Sequence, residues 1–181
     1  MKIDGDNYLC HMRFTISILI LCLSFHYTIS PTTIHGRSVN IADGDTFTLL
    51  DDNNTQHRIR IEGIDAPERG QAFSNKSREY LAKMIVGKRL TVTYTEKDRY
   101  GRILGKVTTD SVHDVNLRMI QSGMAWHYSY YNSEKEYADA EKEARKNKVG
   151  LWFDNDPTTV QRNYPIGSVD LNRNHSSDVL V

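Results

Sequence analysis

Short apolar runs alternate with turn residues from Arg37 onward, and this pattern predicts five β-strands. The first two runs, VNIA and TFTLL, are separated by Asp43-Gly44-Asp45, which is a typical hairpin signal. The third run, HRIRIEGI, alternates charged and apolar positions as a half-buried strand does. The runs RLTVTYTE and ILGKVTT supply the last two strands, and the turn KDRYGR joins them.

Three segments have the spacing and the end signals of helices. The first runs from Phe73 to Val86, with its apolar residues on one face, and Gly87 follows it. The second, from Val115 to Ser122, is short and ends before a glycine. The third, from Ser133 to Asn147, opens with SEKE, which is a capping-box pattern.

A helix after the third of five strands, with more helix after the fifth, fits a small Greek-key barrel of the OB type. We therefore predict an α+β domain at residues 31–153, a five-stranded OB-type Greek-key barrel with three helices. Leu151 and Trp152 are expected to dock on its core. Residues 154–181 are rich in Asn, Asp, Pro and Ser without periodicity, so they are predicted to form a polar tail.

The N-terminal region has a different composition. Residues 14–25, FTISILILCLSF, are almost continuously apolar and follow Arg13. A membrane-spanning helix takes ~20 apolar residues, so this run is short for a span and suits the h-region of a secretory signal peptide. We predict a signal peptide at residues 1–30 and a secreted or periplasmic protein. Met12 is an alternative start, because Asp4 and Asp6 are unusual in an n-region; a buried core helix is the alternative to a signal.

Composition excludes several kinds of chemistry. Lys+Arg and Asp+Glu number 23 each, so any affinity for phosphate must come from local arrangement or from a bound cation. Both cysteines, Cys10 and Cys22, lie in the predicted signal peptide, which excludes thiol catalysis and cysteine-ligated zinc from the mature domain. The histidines do not cluster with metal-ligand spacing, and His127 is interpreted as a structural residue.

Three motifs place charged residues at strand ends. IADGDTF carries Asp43 and Asp45 in the first hairpin turn. RIRIEGIDAPERG offers two carboxylates and a backbone carbonyl around the stiff Pro67, and such oxygens suit a hard cation such as calcium. Arg60 lies mid-strand on the face opposite the isoleucines, and KDRYGRIL starts a strand with Arg102 pointing inward. Each motif taken singly also fits a solvated turn.

In this order and spacing, DGDTF, RIEGIDAPE, DRYGR and VNLRMIQSGMAW, followed by a Tyr-rich stretch, resemble the staphylococcal nuclease (thermonuclease) family. The resemblance covers residues 37–152 and implies an OB-type barrel with three helices, in agreement with the strand and helix pattern. It also implies a calcium-dependent hydrolase that cleaves phosphodiester bonds of DNA and RNA. Such an enzyme would prefer single-stranded or open substrates and leave 3′-phosphate ends.

The resemblance also implies roles for individual residues. The set that would hold one calcium ion is Asp45, Asp65, the backbone carbonyl of Ala66 and, behind these ligands, Asp43. The catalytic set is Arg60 and Arg102 on the scissile phosphate, with Glu68 as general base or as the residue that orients the attacking water. The set that would contact the substrate is Arg99, Tyr100, Tyr128 and Tyr131. Tyr131 matches one base-pocket tyrosine of the family. Ser129 falls on the second base-pocket position, and a shift of one residue in the alignment would bring Tyr128 there instead.

The sequence therefore predicts an exported nuclease, a phosphodiesterase that acts as a monomer without stable membrane association after signal removal. One alternative is a non-catalytic OB-fold module that binds nucleic acid. Such a module would be expected to lack some of the residues of the site, and all five are present: Asp45, Arg60, Asp65, Glu68 and Arg102. Another alternative is a protein whose DGD turn holds only structural calcium.

Overall fold

The computed structural model describes residues 30–130 and 132–153. The predicted signal peptide, apart from Ser30, lies outside the described residues, as do the predicted tail at residues 154–181 and Tyr131. In the described part of the chain, no helix combines the length and the apolar character that crossing a bilayer requires.

Five strands close into a barrel in the order β1-β2-β3-β6-β5. These strands are β1 (Thr32–Ile41), β2 (Thr46–Asp51), β3 (Gln56–Ile61), β5 (Leu90–Lys97) and β6 (Ile103–Thr109). Neighbouring strands are antiparallel except β3 and β6, which are parallel. A separate two-stranded sheet pairs β4 (Ile64–Asp65) with β7 (Trp126–His127). The predicted fold class, a five-stranded OB-type barrel, is confirmed.

The three predicted helices are also present. They are α1 (Ser74–Ile85), α2 (Val115–Gln121) and α3 (Lys135–Lys146), and a 3₁₀ turn spans Gly150–Trp152. The capping box predicted at Ser133 is wrong, because the N-cap of α3 is Glu134 and its side chain makes no capping bond. The side chain of Asn132 instead accepts a hydrogen bond from the Glu134 backbone N–H at 2.8 Å, which satisfies a donor at the helix start.

Strand β1 begins earlier than the run VNIA predicts. Its first half pairs with β5, from Thr32 opposite Tyr94 to Gly36 opposite Leu90, and its second half pairs with β2. Most side chains of this first half are exposed, so they carry little of the alternation that marks a half-buried strand. Pairing with two neighbours, rather than burial, therefore extends β1 and closes the barrel.

Inward side chains of the strands fill the barrel. Strand β6 shows the alternation clearly, with every second residue from Ile103 to Thr109 buried. The same core includes Leu81 and Ile85 from α1 and the apolar face of α2. A smaller cluster joins β7 and α3 to the end of the domain, and it contains Trp126, Ala144, Leu151 and Trp152. Leu151 and Trp152 thus pack where the sequence analysis expected them.

A single buried amide holds the parallel strands to α2. The side chain of Asn116 accepts a hydrogen bond from Val107 N at 3.0 Å and donates to the carbonyls of Glu62 at 3.0 Å and Gly105 at 3.2 Å. Asn116 is 1% exposed, so these backbone groups have little access to water as an alternative partner. This network fixes the end of β3, immediately before the segment that carries Asp65.

Candidate active site

The loop between β1 and β2 is packed closely against α1 and against the segment that follows β4. A Cβ atom on Gly44 would lie 1.8 Å from the Ser77 Oγ and 2.8 Å from the Ala66 Cβ, so only glycine fits here. The Ser77 hydroxyl in turn donates to the Met124 carbonyl at 2.7 Å. This close approach brings the two aspartates that flank Gly44 beside Asp65 and its neighbours.

Asp45 is the most constrained carboxylate of this loop. It is 3% exposed, its Oδ2 accepts a hydrogen bond from the Ala66 backbone N–H at 2.7 Å, and its Oδ1 accepts one from the Thr46 hydroxyl at 3.0 Å. Its carbonyl accepts a bond from Ile61 N at 2.8 Å. Asp45 therefore ties the β1–β2 loop both to β3 and to the segment after β4.

Arg60 bridges two of the predicted calcium ligands. Its Nη1 forms an ion pair with the Asp45 Oδ1, and its Nη2 lies 2.8 Å from the Asp65 Oδ1. The side chain of Arg60 is 17% exposed, against 38% for that of Asp65, so the open side of this triad is the Asp65 side. The alternation of β3, with Ile59 and Ile61 buried, places Arg60 on the polar face as predicted.

Asp43 lies beside this triad rather than within it. Its Oδ1 accepts a hydrogen bond from the Asp45 backbone N–H at 3.1 Å, as in an Asx turn. Burial raises the pKa of Asp43, although the positive charge of Arg60, hydrogen bonds with Thr46 and the charge of Arg102 oppose the rise. Asp43 therefore interacts electrostatically with both arginines that are predicted to bind phosphate.

Glu68 faces the same group of charges from the surface. Its side chain is exposed, and its backbone N–H donates to the Gln71 side chain at 2.8 Å. Partial desolvation and the negative charges of Asp43 and Asp65 raise the pKa of Glu68, and the two arginines offset the rise only in part. A carboxylate whose pKa is raised holds a proton more strongly and is a better general base near neutral pH.

Arg102 is oriented by an aspartate that the sequence analysis did not single out. Its Nε donates to the Asp98 Oδ2 at 2.7 Å, and its backbone N–H donates to the Asp98 Oδ1 at 2.9 Å. Desolvation acts to raise the pKa of Asp98, but the hydrogen bonds and charge of Arg102 outweigh it and hold that pKa below its usual value. The signal was present as an aspartate at the start of the KDRYGR turn, four positions before an arginine.

The aromatic residues of the predicted substrate set lie in two places. The Tyr100 ring is stacked by the guanidinium groups of Arg99 at 4.9 Å and Arg102 at 5.5 Å, so Tyr100 borders the site. Tyr128 follows β7, and its N–H donates to the Gly63 carbonyl at 2.9 Å, just before β4 and Asp65. Tyr128 packs on Tyr130 with ring centroids 6.4 Å apart. The prediction for Tyr131 falls outside the described residues.

The oxygen donors at this site fit a hard cation. Oδ1 atoms of Asp45 and Asp65 both reach the same guanidinium, so the two carboxylates already converge on one positive group. Among the described residues, no group of three or more His, Cys, Asp or Glu side chains is arranged as a metal site. An ion held here would therefore take its remaining ligands from carbonyls such as that of Ala66 and from water, which calcium readily accepts.

One end of this closed barrel carries two arginines, two aspartates and a glutamate with a raised pKa. Together these groups can support phosphodiester hydrolysis. Comparison with known proteins agrees with this class. The family described as staphylococcal nuclease homologue matches residues 58–154. That match begins within β3, so Asp43 and Asp45 lie outside it.

Individual relatives also carry nuclease names. An uncharacterized endonuclease of Escherichia coli is 40% identical over 140 residues, which cover 77% of this chain and 91% of that protein. A micrococcal nuclease of Shigella flexneri is 41% identical over 129 residues, covering 66% of this chain and 74% of that protein. A probable staphylococcal-like nuclease of rice, Oryza sativa subsp. japonica, is 42% identical over 97 residues, covering 54% and 29%. The chain belongs to the staphylococcal nuclease family, and it is a nuclease.

Proposed function

We propose that this nuclease is an exported, calcium-dependent endonuclease that hydrolyses both DNA and RNA. We propose further that it prefers single-stranded or open substrates and leaves 3′-phosphate ends. The observation that carries the proposal is the convergence of Arg60 with Asp45 and Asp65, beside Glu68 and Arg102. Membership of the nuclease family supports the reaction class, and the charges of this site support the metal and the mechanism.

Calcium would be held by the carboxylates of Asp45 and Asp65 and by the backbone carbonyl of Ala66, with Asp43 behind them. A bound calcium ion would supply Lewis-acid stabilisation of the negative charge that develops on the phosphate. Arg60 pairs with both carboxylates and offsets one of their two negative charges, so ion and guanidinium would share them. Two positive groups around two aspartates leave net positive charge for an anionic substrate.

The arginines would grip the scissile phosphate. The ion pairs of Arg60 use one N–H from each Nη, and that of Arg102 uses its Nε, so each guanidinium keeps further N–H donors. A planar fork of this kind matches two phosphate oxygens and stays charged at any physiological pH. Stabilising charge on these oxygens in the transition state is the main electrostatic contribution that such a site can make.

Glu68 would take the proton of the attacking water. The water oxygen forms a bond to phosphorus while the bond from phosphorus to the 5′-oxygen breaks, which leaves the phosphate on the 3′ side. The leaving 5′-oxygen collects a proton from solvent, because Glu68 is exposed and the site is open to water. The raised pKa of Glu68, due to partial desolvation and the nearby aspartates, supports this role.

Substrate preference and location rest on other features. Tyr100 is 65% exposed next to Arg102, and an exposed ring of this kind can stack on a base that is not already paired. The apolar run at residues 14–25 supports export to the periplasm or the medium.

Cleavage assays on heat-denatured DNA, duplex DNA and RNA test the proposal. We expect cleavage with millimolar calcium and none in EGTA, faster cleavage of denatured than of duplex DNA, and products that accept ligation only after phosphatase removes a 3′-phosphate. Recovery of the protein from the periplasm or medium of an expressing bacterium tests export. Cleavage that persists in EGTA would contradict calcium dependence, and tight binding without turnover would support the non-catalytic module instead.

Two conservative variants test the arginines. Arg60→Lys and Arg102→Lys keep the positive charge but lose the planar fork, so each is expected to lower kcat by about 10²-fold, the usual cost of one transition-state donor. Arg118→Lys, at an exposed position of α2, is the matched control and should retain activity. Unchanged kcat in both site variants would remove the arginines from the mechanism.

A further inference from the structure

A cavity of about 200 Å³ opens beside the candidate active site. It lies between the β1–β2 loop, the segment after Pro67 and the first turns of α1. The residues that line it are Ala42, Asp43, Arg69, Ser74, Asn75 and Arg78. Asp43 connects the cavity to the active site, because its Oδ1 accepts a hydrogen bond from the Asp45 backbone N–H at 3.1 Å.

The two arginines of this cavity differ from the two arginines of the candidate active site. Arg60 and Arg102 form ion pairs with aspartates. Neither Arg69 nor Arg78 forms an ion pair with an acidic side chain anywhere in residues 30–130 and 132–153. Both are exposed, so their guanidinium groups can reach a ligand in the cavity without breaking an existing pair.

The size and lining of the cavity restrict what it can hold. It is smaller than the roughly 300–1,000 Å³ typical of pockets for drug-sized molecules, and no aromatic side chain lines it for a base to stack on. Asp43 is its one acidic lining residue, and the Asp43 Oδ1 already accepts a bond from Asp45 N. Two guanidinium groups, an amide and a hydroxyl around a small space suit a phosphate rather than a base.

We propose that this cavity binds a second phosphodiester group of the same polynucleotide strand, away from the scissile one, through Arg69 and Arg78. The proposal rests on the proposed nuclease function and extends it, because it makes a polynucleotide the preferred substrate over a dinucleotide. Contacts to phosphate carry no base information, so the preference is for chain length and not for sequence.

The Arg69→Gln/Arg78→Gln double variant tests this subsite. The substrates are an oligodeoxynucleotide of about 20 nucleotides, longer than the ~16-nucleotide upper footprint of one OB fold, and a dinucleotide with a single phosphodiester bond. We expect the KM for the oligonucleotide to rise about tenfold with kcat unchanged, and the dinucleotide kinetics to stay as in the wild type. The slope of log Kd against log salt for oligonucleotide binding should fall by ~0.7, the value for one lost phosphate contact on a single strand.

The matched control is Lys142→Gln/Lys146→Gln, which removes the same charge from exposed positions of α3. An equal rise of KM in this control would mean general electrostatic attraction and would overturn the subsite. So would an unchanged KM and salt slope in the Arg69/Arg78 variant while the wild type cleaves both substrates. If the wild type cleaves neither substrate, the nuclease proposal fails, and fluorescence anisotropy with the labelled oligonucleotide still decides the subsite by the same comparison. Thermal melting of each variant checks folding. The single variants Arg69→Gln and Arg78→Gln should each raise the KM about threefold, which is half of the tenfold effect on a free-energy scale.

Discussion

Asp45 serves the stability of the domain as well as the candidate chemistry. Its carboxylate is almost fully buried, and it satisfies the Ala66 N–H, the Thr46 hydroxyl and the charge of Arg60 at once. Removing such a group leaves a partly buried guanidinium and a buried backbone donor without their main partner. Loss of activity after Asp45→Ala would therefore not by itself identify a metal ligand.

We predict that Asp45→Ala lowers the free energy of unfolding by about 3 kcal/mol, measured by urea denaturation in EGTA so that no metal contributes. Asp45→Asn keeps an acceptor for Ala66 N and should lose less, about 1 kcal/mol. The control is Asp139→Ala, which removes an exposed ion pair with Lys135 and should change stability by less than about 0.5 kcal/mol. Equal stability of Asp45→Ala and the control would show that Asp45 has no structural role.

Asp98 acts on the site through Arg102. It accepts hydrogen bonds from two backbone N–H groups of its turn, those of Tyr100 and Arg102, and it holds the Arg102 Nε. Its role in catalysis would be positional, because it fixes the direction of a guanidinium without facing the phosphate itself.

We predict that Asp98→Asn lowers stability at pH 7 by about 1–2 kcal/mol, because a charged partner of Arg102 is lost. The pKa of Asp98 is depressed in the folded state by the bonds and charge of Arg102, which outweigh desolvation. Its stabilisation is therefore complete above pH 3.8, the ordinary value, and is lost as the pH falls through the depressed pKa. Urea denaturation from pH 7 to pH 2.5 should show wild type and variant converging only below about pH 3.8; a constant difference would contradict this assignment.

At the scale of elements, the shortest strand pairing of the barrel is the parallel pair β3 and β6. Its register covers only residues 59–61 against 103–105, whereas the other strand pairs of the barrel are longer. Asn116 compensates by bonding to the Glu62 carbonyl, immediately after β3, and to backbone groups of Gly105 and Val107 within β6. The position of Arg60 on β3, and of Arg102 just before β6, depends on this pairing.

Replacing the amide tests this view of the pairing. Asn116→Ala removes the side-chain partner of the buried Val107 N–H and of the Glu62 carbonyl, so we expect a loss of about 2 kcal/mol and faster hydrogen exchange at Val107. Asn53→Ala, in the exposed turn between β2 and β3, is the control and should be nearly neutral. A loss no greater than that of the control would mean that the parallel pairing does not need the amide.

The elements themselves were largely predictable from the sequence because burial alternates along them, as in β3 and β6. What could not be predicted depends on groups that lie outside the element concerned. The early start of β1 comes from its pairing with β5. The role of Asn116 comes from its bonds to β6 and to Glu62, which is 54 positions away in the chain. The capping box failed because a neighbouring side chain, Asn132, offered the backbone a competing bond.

At the scale of the whole molecule, the site joins residues that are far apart in the chain. Asp45, Arg60 and Arg102 meet because the β1–β2 loop, β3 and the β5–β6 turn lie at one end of a closed barrel. No periodicity places these residues together, so motif order and the family resemblance had to do so. Strand alternation could say only that Arg60 does not face the core, and the choice of Asp45 and Asp65 as its partners required the folded chain.

The neutral chain makes this local arrangement decisive. The full chain has a formal net charge of zero and therefore no strong general attraction for phosphate, so an anionic substrate must be drawn by the arginines and by any ion at the site. Arg60 already stabilises the aspartate pair without metal, which predicts a domain that folds in its absence.

Calcium should nevertheless add stability, because an ion that binds only the folded state shifts unfolding by mass action. At a calcium concentration of about 100 times Kd the gain is ~2.7 kcal/mol, which corresponds to a rise in Tm of roughly 5–10 °C for a domain of this size. Asp65→Asn should abolish this rise at little cost to the metal-free protein, since Asp65 is the more exposed partner of Arg60.

Differential scanning calorimetry with calcium and with EGTA measures both proteins, and Asp139→Asn on α3 is the control that should keep the full response. A wild-type Tm that does not move up to about 10 mM calcium would exclude a site of useful affinity, since even a Kd of 1 mM would give ~1.4 kcal/mol there. A rise retained by Asp65→Asn would place the ion elsewhere. If Asp65→Asn melts like metal-free wild type and loses both the calcium-dependent rise in Tm and the cleavage activity, the ion takes part in the reaction.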